Sequence, residues 1–303
     1  MILVKVIGGL GNQMFQVAFA KRLALENNED LYIDTSVYKK YKIRDYSLSH
    51  LLISKSCKNI QDSGLSDFQK TTIKGSQKLY HVYQKLAKSI GVEKFGKYPY
   101  MYLSKLGLYY NFDRYYYENP YDNKSILKCV YGYFQSEKYF SGYRDQIVSE
   151  LRVMTPPTAK ESEMLNTIKK SNAVGVSIRL GDDYIKSSSL NVCKPEFYYK
   201  AMEQMYKEHS DVEFFIFSDS VDKVKAQFNF DYPVHYIEGF KDYESLRLLY
   251  SCNHFVISNS SFSWWGAYMG AHKDKIIMAP EKWYNDCVQK PDIFMDQMML
   301  IPV

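Results

Sequence analysis

The 303-residue chain contains no run of about 18 apolar residues, which excludes a membrane-spanning helix of ordinary length. Its opening, MILVKVIGGLGNQ, lacks the basic start and small-residue cleavage pattern of a signal peptide, so the protein is expected to stay unexported, in the cytoplasm. Cysteine is scarce: Cys57, Cys129, Cys193, Cys252 and Cys287 are odd in number and form no CxxC pair. That pattern argues against a disulfide framework and a thiolate zinc site, and fits reduced thiols. The six histidines never occur as HxH or HExxH, so no metal-ligand constellation is legible. Internal repeats and low-complexity segments are also lacking.

Acid is nearly missing from one stretch. Between Lys70 and Lys105 there are eight lysines and a single carboxylate, Glu93, although the net charge of the whole chain is only +5. That modest charge gives no reason to expect a nucleic-acid partner. The same stretch runs into a group of tyrosines, from Tyr98, Tyr100 and Tyr102 through Tyr109 and Tyr117 to Tyr121. Charge runs are as a rule solvated, which makes this first a wet surface over a tyrosine-rich core. Its second reading is a face that rests on an anionic bilayer or stacks on sugars.

Periodicity gives the organisation. Ile2–Ile7 reads as a strand, Gly8–Gly11 as a tight turn, Asn12–Glu26 as a helix and Leu31–Ile33 as the next strand, a βαβ opening. Residues 40–125 are irregular, with helix expected around Lys78–Ser89. A strand over Leu127–Phe134 and a helix over Glu137–Arg152, capped by Ser136, follow. Pro156 and Pro157 then break the pattern, which places a domain boundary there and gives domains 1–155 and 156–303. Beyond it, short strands and helices alternate regularly as far as Ile276–Met278. Such alternation implies an α/β fold with a parallel sheet covered on both faces, whose ligands bind at the carboxyl ends of the strands.

Four motifs fall at those ends. Ser258 to Gly266, SNSSFSWWG, holds two of the three tryptophans and joins the strand His254–Ile257 to the helix Trp264–Met269. Unpaired N–H groups at a helix start stabilise an anion, and Ser260, Ser261 and Ser263 can add hydroxyl donors; the plainer alternative is a serine cap followed by aromatic core. The second motif, GGLGNQMFQ, brings Gly9 and Gly11, which let backbone amides approach a ligand, and Asn12, Gln13 and Gln16, whose amides suit hydroxyl or phosphate recognition. As a dinucleotide fingerprint it is imperfect, because Met14 stands where the third glycine belongs. The third, SIRLGDD, places Arg179 on the same facing as Ser177 at a strand end, where a guanidinium suits bidentate phosphate binding; the alternative is an Arg179–Asp182 surface pair. The fourth, FSDS, offers Asp219 either as a helix cap or as an acceptor for a ribose or base.

Together these motifs resemble the alpha-1,2-fucosyltransferase family, glycosyltransferase family 11, from GGLGNQMFQ at the start to ISNSSFSWWGAYMG near the end. The resemblance implies two Rossmann-like domains facing a cleft in a GT-B-like arrangement. GDP-L-fucose would be held mainly by the second domain and the acceptor by the first. It further implies that Arg179 is the essential arginine. Ser177 and Leu180 replace a histidine and a second arginine of the usual HxRRGD, and Ser245, beside Glu244, stands where relatives carry an aspartate associated with guanine reading.

The chemistry expected is inverting transfer of fucose, with Arg179 and the Ser260–Ser263 helix start stabilising the departing diphosphate. No D-x-D pair occurs, so neither a metal nor any other cofactor is expected. Asp182 and Asp183 are the candidates for a base, Asn12 and Gln13 position the acceptor hydroxyl or the sugar, and Asp219, Glu244 and Phe262 are the candidates for reading the base. The acceptor expected is a galactose-terminated glycan or lipid-linked oligosaccharide used in surface polysaccharide synthesis. Three rivals remain: a transferase for another GDP-sugar, a glycan-binding module that no longer binds nucleotide, and an NAD-dependent oxidoreductase with Asp34 as its ribose reader.

Overall fold

The computed structural model describes residues 1–40, 44–118 and 125–303, so Tyr121 lies outside the described residues. The chain forms two compact units, Met1–Arg152 with Pro291–Ile293, and Val153–Lys290 with Phe294–Val303. The boundary thus falls a few residues before the proline pair. The carbonyl of Thr155 accepts Nη1 of Arg247 at 2.6 Å, which ties that segment to the second unit. Asp292 returns to the first, where its carboxylate accepts the Tyr116 amide at 3.0 Å and Lys138 Nζ at 2.5 Å.

In the first unit the chain runs β1 (Ile2–Lys5), α1 (Leu10–Asn27), β2 (Leu31–Asp34), β3 (Cys57–Asn59), α2 (Asp67–Ser89), α3 (Lys97–Ser104), β4 (Leu108–Asn111), β5 (Lys128–Gly132) and α4 (Arg144–Glu150). The five strands form an all-parallel sheet in the order β3-β2-β1-β5-β4. Phe19 of α1 packs on Tyr109 of β4 with centroids 5.7 Å apart, and on Phe134 and Tyr139 beyond β5 at 4.7 and 5.0 Å, so α1 is fixed to the sheet and the segment after it by ring contacts. Tyr100, Tyr109, Tyr110, Tyr115 and Tyr117 are buried in this core, whereas Tyr98 and Tyr102 are exposed. Most of the tyrosine run is therefore core. Helix α2 is longer than expected because Ser66 and Gln69 form a capping box more than three turns upstream of Lys78.

The second unit runs α5 (Ala159–Lys170), β6 (Asn172–Ile178), α6 (Asp182–Ile185), α7 (Pro195–Glu208), β7 (Val212–Ser218), α8 (Val221–Gln227), β8 (Val234–Ile237), α9 (Asp242–Tyr250), β9 (His254–Val256), α10 (Ser261–Met269), β10 (Ile277–Pro280) and β11 (Met298–Ile301). Its six strands are again all parallel, in the order β11-β10-β9-β6-β7-β8. The central strand β6 is buried along all but its first residue, as a sheet covered on both faces requires.

One close approach fixes the layer above β6. A Cβ on Gly266 would meet Leu249 Cδ2 at 2.3 Å, and one on Gly175 would meet Leu249 Cδ1 at 2.6 Å. Leu249 of α9 is therefore seated in space that two glycines leave open, and the glycine of the SWWG motif serves packing. Trp264 and Trp265 are also fully buried, with Trp264 stacked on Tyr268 at 4.6 Å. These two tryptophans are the aromatic core of the plainer alternative.

Candidate active site

In the second unit the strand order defines the place where a ligand fits. The chain moves outward from β6 through β7 to β8, then returns to the other side of β6 and moves outward through β9, β10 and β11. Connections after β6 and β9 consequently diverge, opening a crevice at the carboxyl ends of these two neighbours. Arg179 follows β6, Asp219 follows β7, and the Ser258–Ser260 segment follows β9.

Asp219 builds the turn that carries Arg179. Its Oδ1 accepts the amides of Leu180 and Gly181 at 2.8 and 2.9 Å, and its Oδ2 accepts Arg179 Nε at 3.3 Å. A Cβ on Gly181 would lie 2.8 Å from both Asp183 Oδ1 and Asp219 Oδ2, so a side chain there would push these carboxylates from their present positions around Arg179. Asp219 does not cap α8, whose first residue follows Ser220 without a side-chain cap. Both of its oxygens are committed to the turn, which leaves it poorly placed to read a base as well.

Arg179 is held on two further sides. Its Nη2 donates to Asp183 at 3.1 Å, and its guanidinium carbon lies 4.8 Å from the centre of the Tyr184 ring. The expected partner Asp182 instead pairs with Lys223 at 2.6 Å and Lys186 at 3.2 Å. The Lys223 and Lys186 bonds hold the Asp182 carboxyl below the usual range, which makes it a weaker base than the sequence reading assigned. Tyr184 was missed in the sequence. Its hydroxyl donates to Asn259 Oδ1 at 2.8 Å and accepts the Val192 and Cys193 amides, so the plate beneath Arg179 is pinned to the segment that opens α10.

The α10 start is uncapped: Ser260 occupies the cap position without a side-chain bond to the helix. Ser263 is fully buried and donates back to the carbonyls of Ser258 and Ser260, so it offers no hydroxyl to a ligand. Ser177 is also buried, with its hydroxyl 3.3 Å from that of Ser258, tying the end of β6 to the end of β9. Asn259 completes the scaffold by donating to the carbonyls of Leu190 and Trp283. Ser260, Ser261 and Phe262 remain half-buried at the opening. Glu244 opens α9 with Oε2 accepting the Lys241 amide at 2.8 Å, a capping bond, while its Oε1 has no hydrogen-bond partner among the described residues.

In the first unit the GGLGNQ loop lies at the corresponding switch, between β1 and β5. Gly8 has φ +79°, where a side chain is strained. The two glutamines prove to be backbone clamps rather than ligand groups. Gln16 accepts the Ile7 amide and donates to its carbonyl; Gln13 donates to the carbonyls of Gly8 and Asp45 and accepts the Ser47 amide, and both are fully buried. Asn12, half-buried, is the amide at the surface of this loop; its Oδ1 accepts Gln135 Nε2 at 2.8 Å. Gly9 precedes α1 and Gly11 lies buried in its first turn. A methyl group on Gly9 would come 3.6 Å from Arg44 Cδ, a basic neighbour that sequence distance had hidden.

A parallel α/β unit with a fixed guanidinium beside an uncapped helix start at its switch point is built to hold an anionic ligand. The chain belongs to glycosyl transferase family 11, whose family model matches residues 1–299. It is 26% identical over 294 residues to an alpha-1,2-colitosyltransferase of Escherichia coli, covering 94% of this chain and 92% of that one. It is 25% identical over 302 residues to the O-antigen biosynthesis glycosyltransferase WbnK of Escherichia coli, covering 91% and 93%. Among solved structures, a NodZ alpha-1,6-fucosyltransferase co-crystallized with GDP matches at TM-score 0.49 and 12% identity over 88% of this chain and 91% of that one. A variant of Arabidopsis thaliana FUT1 in complex with GDP matches at TM-score 0.49 and 12% identity over 93% and 71%.

Proposed function

We propose that this glycosyltransferase moves L-fucose from GDP-β-L-fucose, with inversion, to O2 of a terminal galactose in a glycan or lipid-linked oligosaccharide of surface polysaccharide synthesis. The observation that carries the reading is Arg179, fixed by Asp219 and Tyr184 at the β6/β9 switch with its Nη1 unpartnered among the described residues. When the sugar–phosphate bond breaks, new negative charge appears on the β-phosphate. The guanidinium and the first amides of α10 are donors already in place for it, so little reorganisation is needed. Attack by the acceptor hydroxyl from the opposite face gives the α product. An oxocarbenium-like path reduces the demand for a strong base, in keeping with the ion-paired state of Asp182. No metal or other cofactor is assigned in this reading; its basis is the lack of a D-x-D pair in the sequence.

A donor panel tests it: GDP-fucose, GDP-mannose, UDP-galactose and NAD, each offered with a galactose-terminated oligosaccharide. GDP-fucose should be consumed and give an α-1,2-linked product, and GDP should bind at least about ten times more tightly than UDP, as a read base implies. Equal affinity for GDP and UDP would remove the GDP-sugar assignment. A second reading, a GDP-sugar donor carrying colitose, is favoured by the identity to the colitosyltransferase. Turnover of GDP-colitose with GDP-fucose left unused would select it.

A further inference from the structure

Helix α2 carries two apolar faces. Ile73, Gln77, Tyr80 and Ala87 turn toward the sheet, where Tyr80 and Ile73 join the core around Tyr110 and Tyr131. On the opposite side Phe68, Leu79, Val82, Leu86 and Ile90 follow one another at helical spacing and stand in solvent, from 54% exposed at Val82 to 80% at Phe68. Ten of the nineteen large apolar side chains that are exposed among the described residues lie between Phe68 and Leu106. A monomeric surface seldom concentrates them in this way.

Charge decides what covers the stripe. Lys74, Lys78, Lys85 and Lys88 fall at helical positions along one flank of it, and the first three have no carboxylate partner among the described residues. The single acid between residues 70 and 105, Glu93, accepts the Tyr115 hydroxyl. Beyond the helix, Lys97 lies over Tyr98 and Lys105 over Tyr102, with both rings exposed. A second copy of the chain packed symmetrically on this face would oppose lysine with lysine, which is unfavourable at a desolvated contact. An apolar stripe edged by lysine and amphipathic tyrosine matches a bilayer interface instead: the apolar groups enter the acyl boundary and the ammonium groups meet lipid phosphates. No helix among the described residues is long and apolar enough to cross a membrane, so the contact would be peripheral.

We propose that the outer face of α2, with the turn after it, seats the protein on a bilayer surface that contains anionic lipid. The inference rests on this face alone and stands whichever sugar donor the enzyme uses. The test is co-sedimentation of the whole chain with vesicles of phosphatidylcholine alone or with about a third phosphatidylglycerol. The unmodified protein should partition onto the anionic vesicles at least about tenfold more than onto the neutral ones, and less as salt is raised. Replacing Leu79, Val82 and Leu86 together by serine should reduce that partition at least about tenfold, and so should Lys78→Glu with Lys85→Glu. Val288→Ser, at an exposed apolar residue of the second unit, should leave it unchanged. The substituted side chains are exposed, so thermal unfolding and GDP binding should be retained in every variant. Equal binding to both kinds of vesicle, or undiminished binding by the triple serine variant, would overturn the proposal. So would a dimer in solution that the triple serine variant dissociates, since the stripe would then be an interface between copies.

Discussion

The guanidinium carbon of Arg179 lies 4.8 Å from the centre of the Tyr184 ring, and the hydroxyl of that ring is bonded to Asn259 in the segment before α10. The cation and the helix start are therefore held by one side chain. Tyr184→Leu should lower kcat by about 3- to 30-fold, from the loss of a cation–π contact worth ~0.5–2 kcal/mol, with a smaller change in the KM of the donor. Tyr184→Phe keeps the ring and should retain most of kcat. It leaves the Cys193 amide without its acceptor, while the Val192 amide keeps the Leu190 carbonyl, so its cost, about 1–3 kcal/mol, should appear in denaturant unfolding.

Arg179→Ala should reduce turnover by at least about 10²-fold, and Arg179→Lys by a similar factor, because an ammonium cannot keep the Asp219 bond and the ring contact while presenting a fork to phosphate. Single-turnover rates with saturating donor are the measurement. A folded Arg179→Ala enzyme with near-normal rate would remove this site from the mechanism.

Asp183 occupies Nη2 of Arg179, a donor that a diphosphate gripped by both terminal nitrogens of this guanidinium would need. Asp183→Asn should tighten GDP by about 2- to 5-fold, the range of one partly exposed ion pair, as read by calorimetry. Asp219→Ala should act in the other direction, lowering turnover about 10- to 100-fold by releasing the Arg179 turn, while leaving the GDP/UDP affinity ratio unchanged. A collapse of that ratio in Asp219→Ala would assign Asp219 to base reading after all. Glu244→Gln is the corresponding probe at α9, where the free Oε1 makes a narrowed ratio the expected result.

Asp182 is exposed and held ionised by Lys223 and Lys186, its carboxyl lying below the usual range. Asp182→Asn should keep turnover within about threefold and should not move the acid limb of the rate profile. A loss of 10²-fold or more, with the fold intact, would make it the base.

His254, at the start of β9, stacks on His209 at 4.6 Å and lies 5.4 Å from His272, and burial with these neighbours pushes its value down to about 4. The unfolded chain takes up this proton near pH 6.5, well before the folded protein does. The associated stability is therefore fully present above about pH 6.5 and is lost as pH falls toward 4, by at most ~3 kcal/mol. Urea midpoints at pH 7.5 and 5 should differ accordingly, and His254→Gln should flatten the difference.

The sequence by itself determined the alternation of strands and helices from β6 to β10 and the motifs at their ends, though not α5 or the one-turn α6, because buried parallel strands and amphipathic helices have distinct periods that short loops separate. It also determined the family, through GGLGNQMFQ and ISNSSFSWWGAYMG. The short strands β3, β4 and β11 left too little pattern to read, and the second apolar face of α2 showed only once the first was packed. Which polar residues serve the ligand and which serve the backbone was decided by tertiary structure alone. Gln13, Gln16, Ser177 and Ser263 have the chemistry of ligand groups, yet burial requires their donors and acceptors to satisfy neighbouring loops. Asp219 has the look of a helix cap, but β7 lies beside β6, so its carboxylate meets the turn that holds Arg179. The bonds from Arg179 to Asp219 and from Tyr184 to Asn259 join residues 40 and 75 positions apart, and no local pattern carries that information.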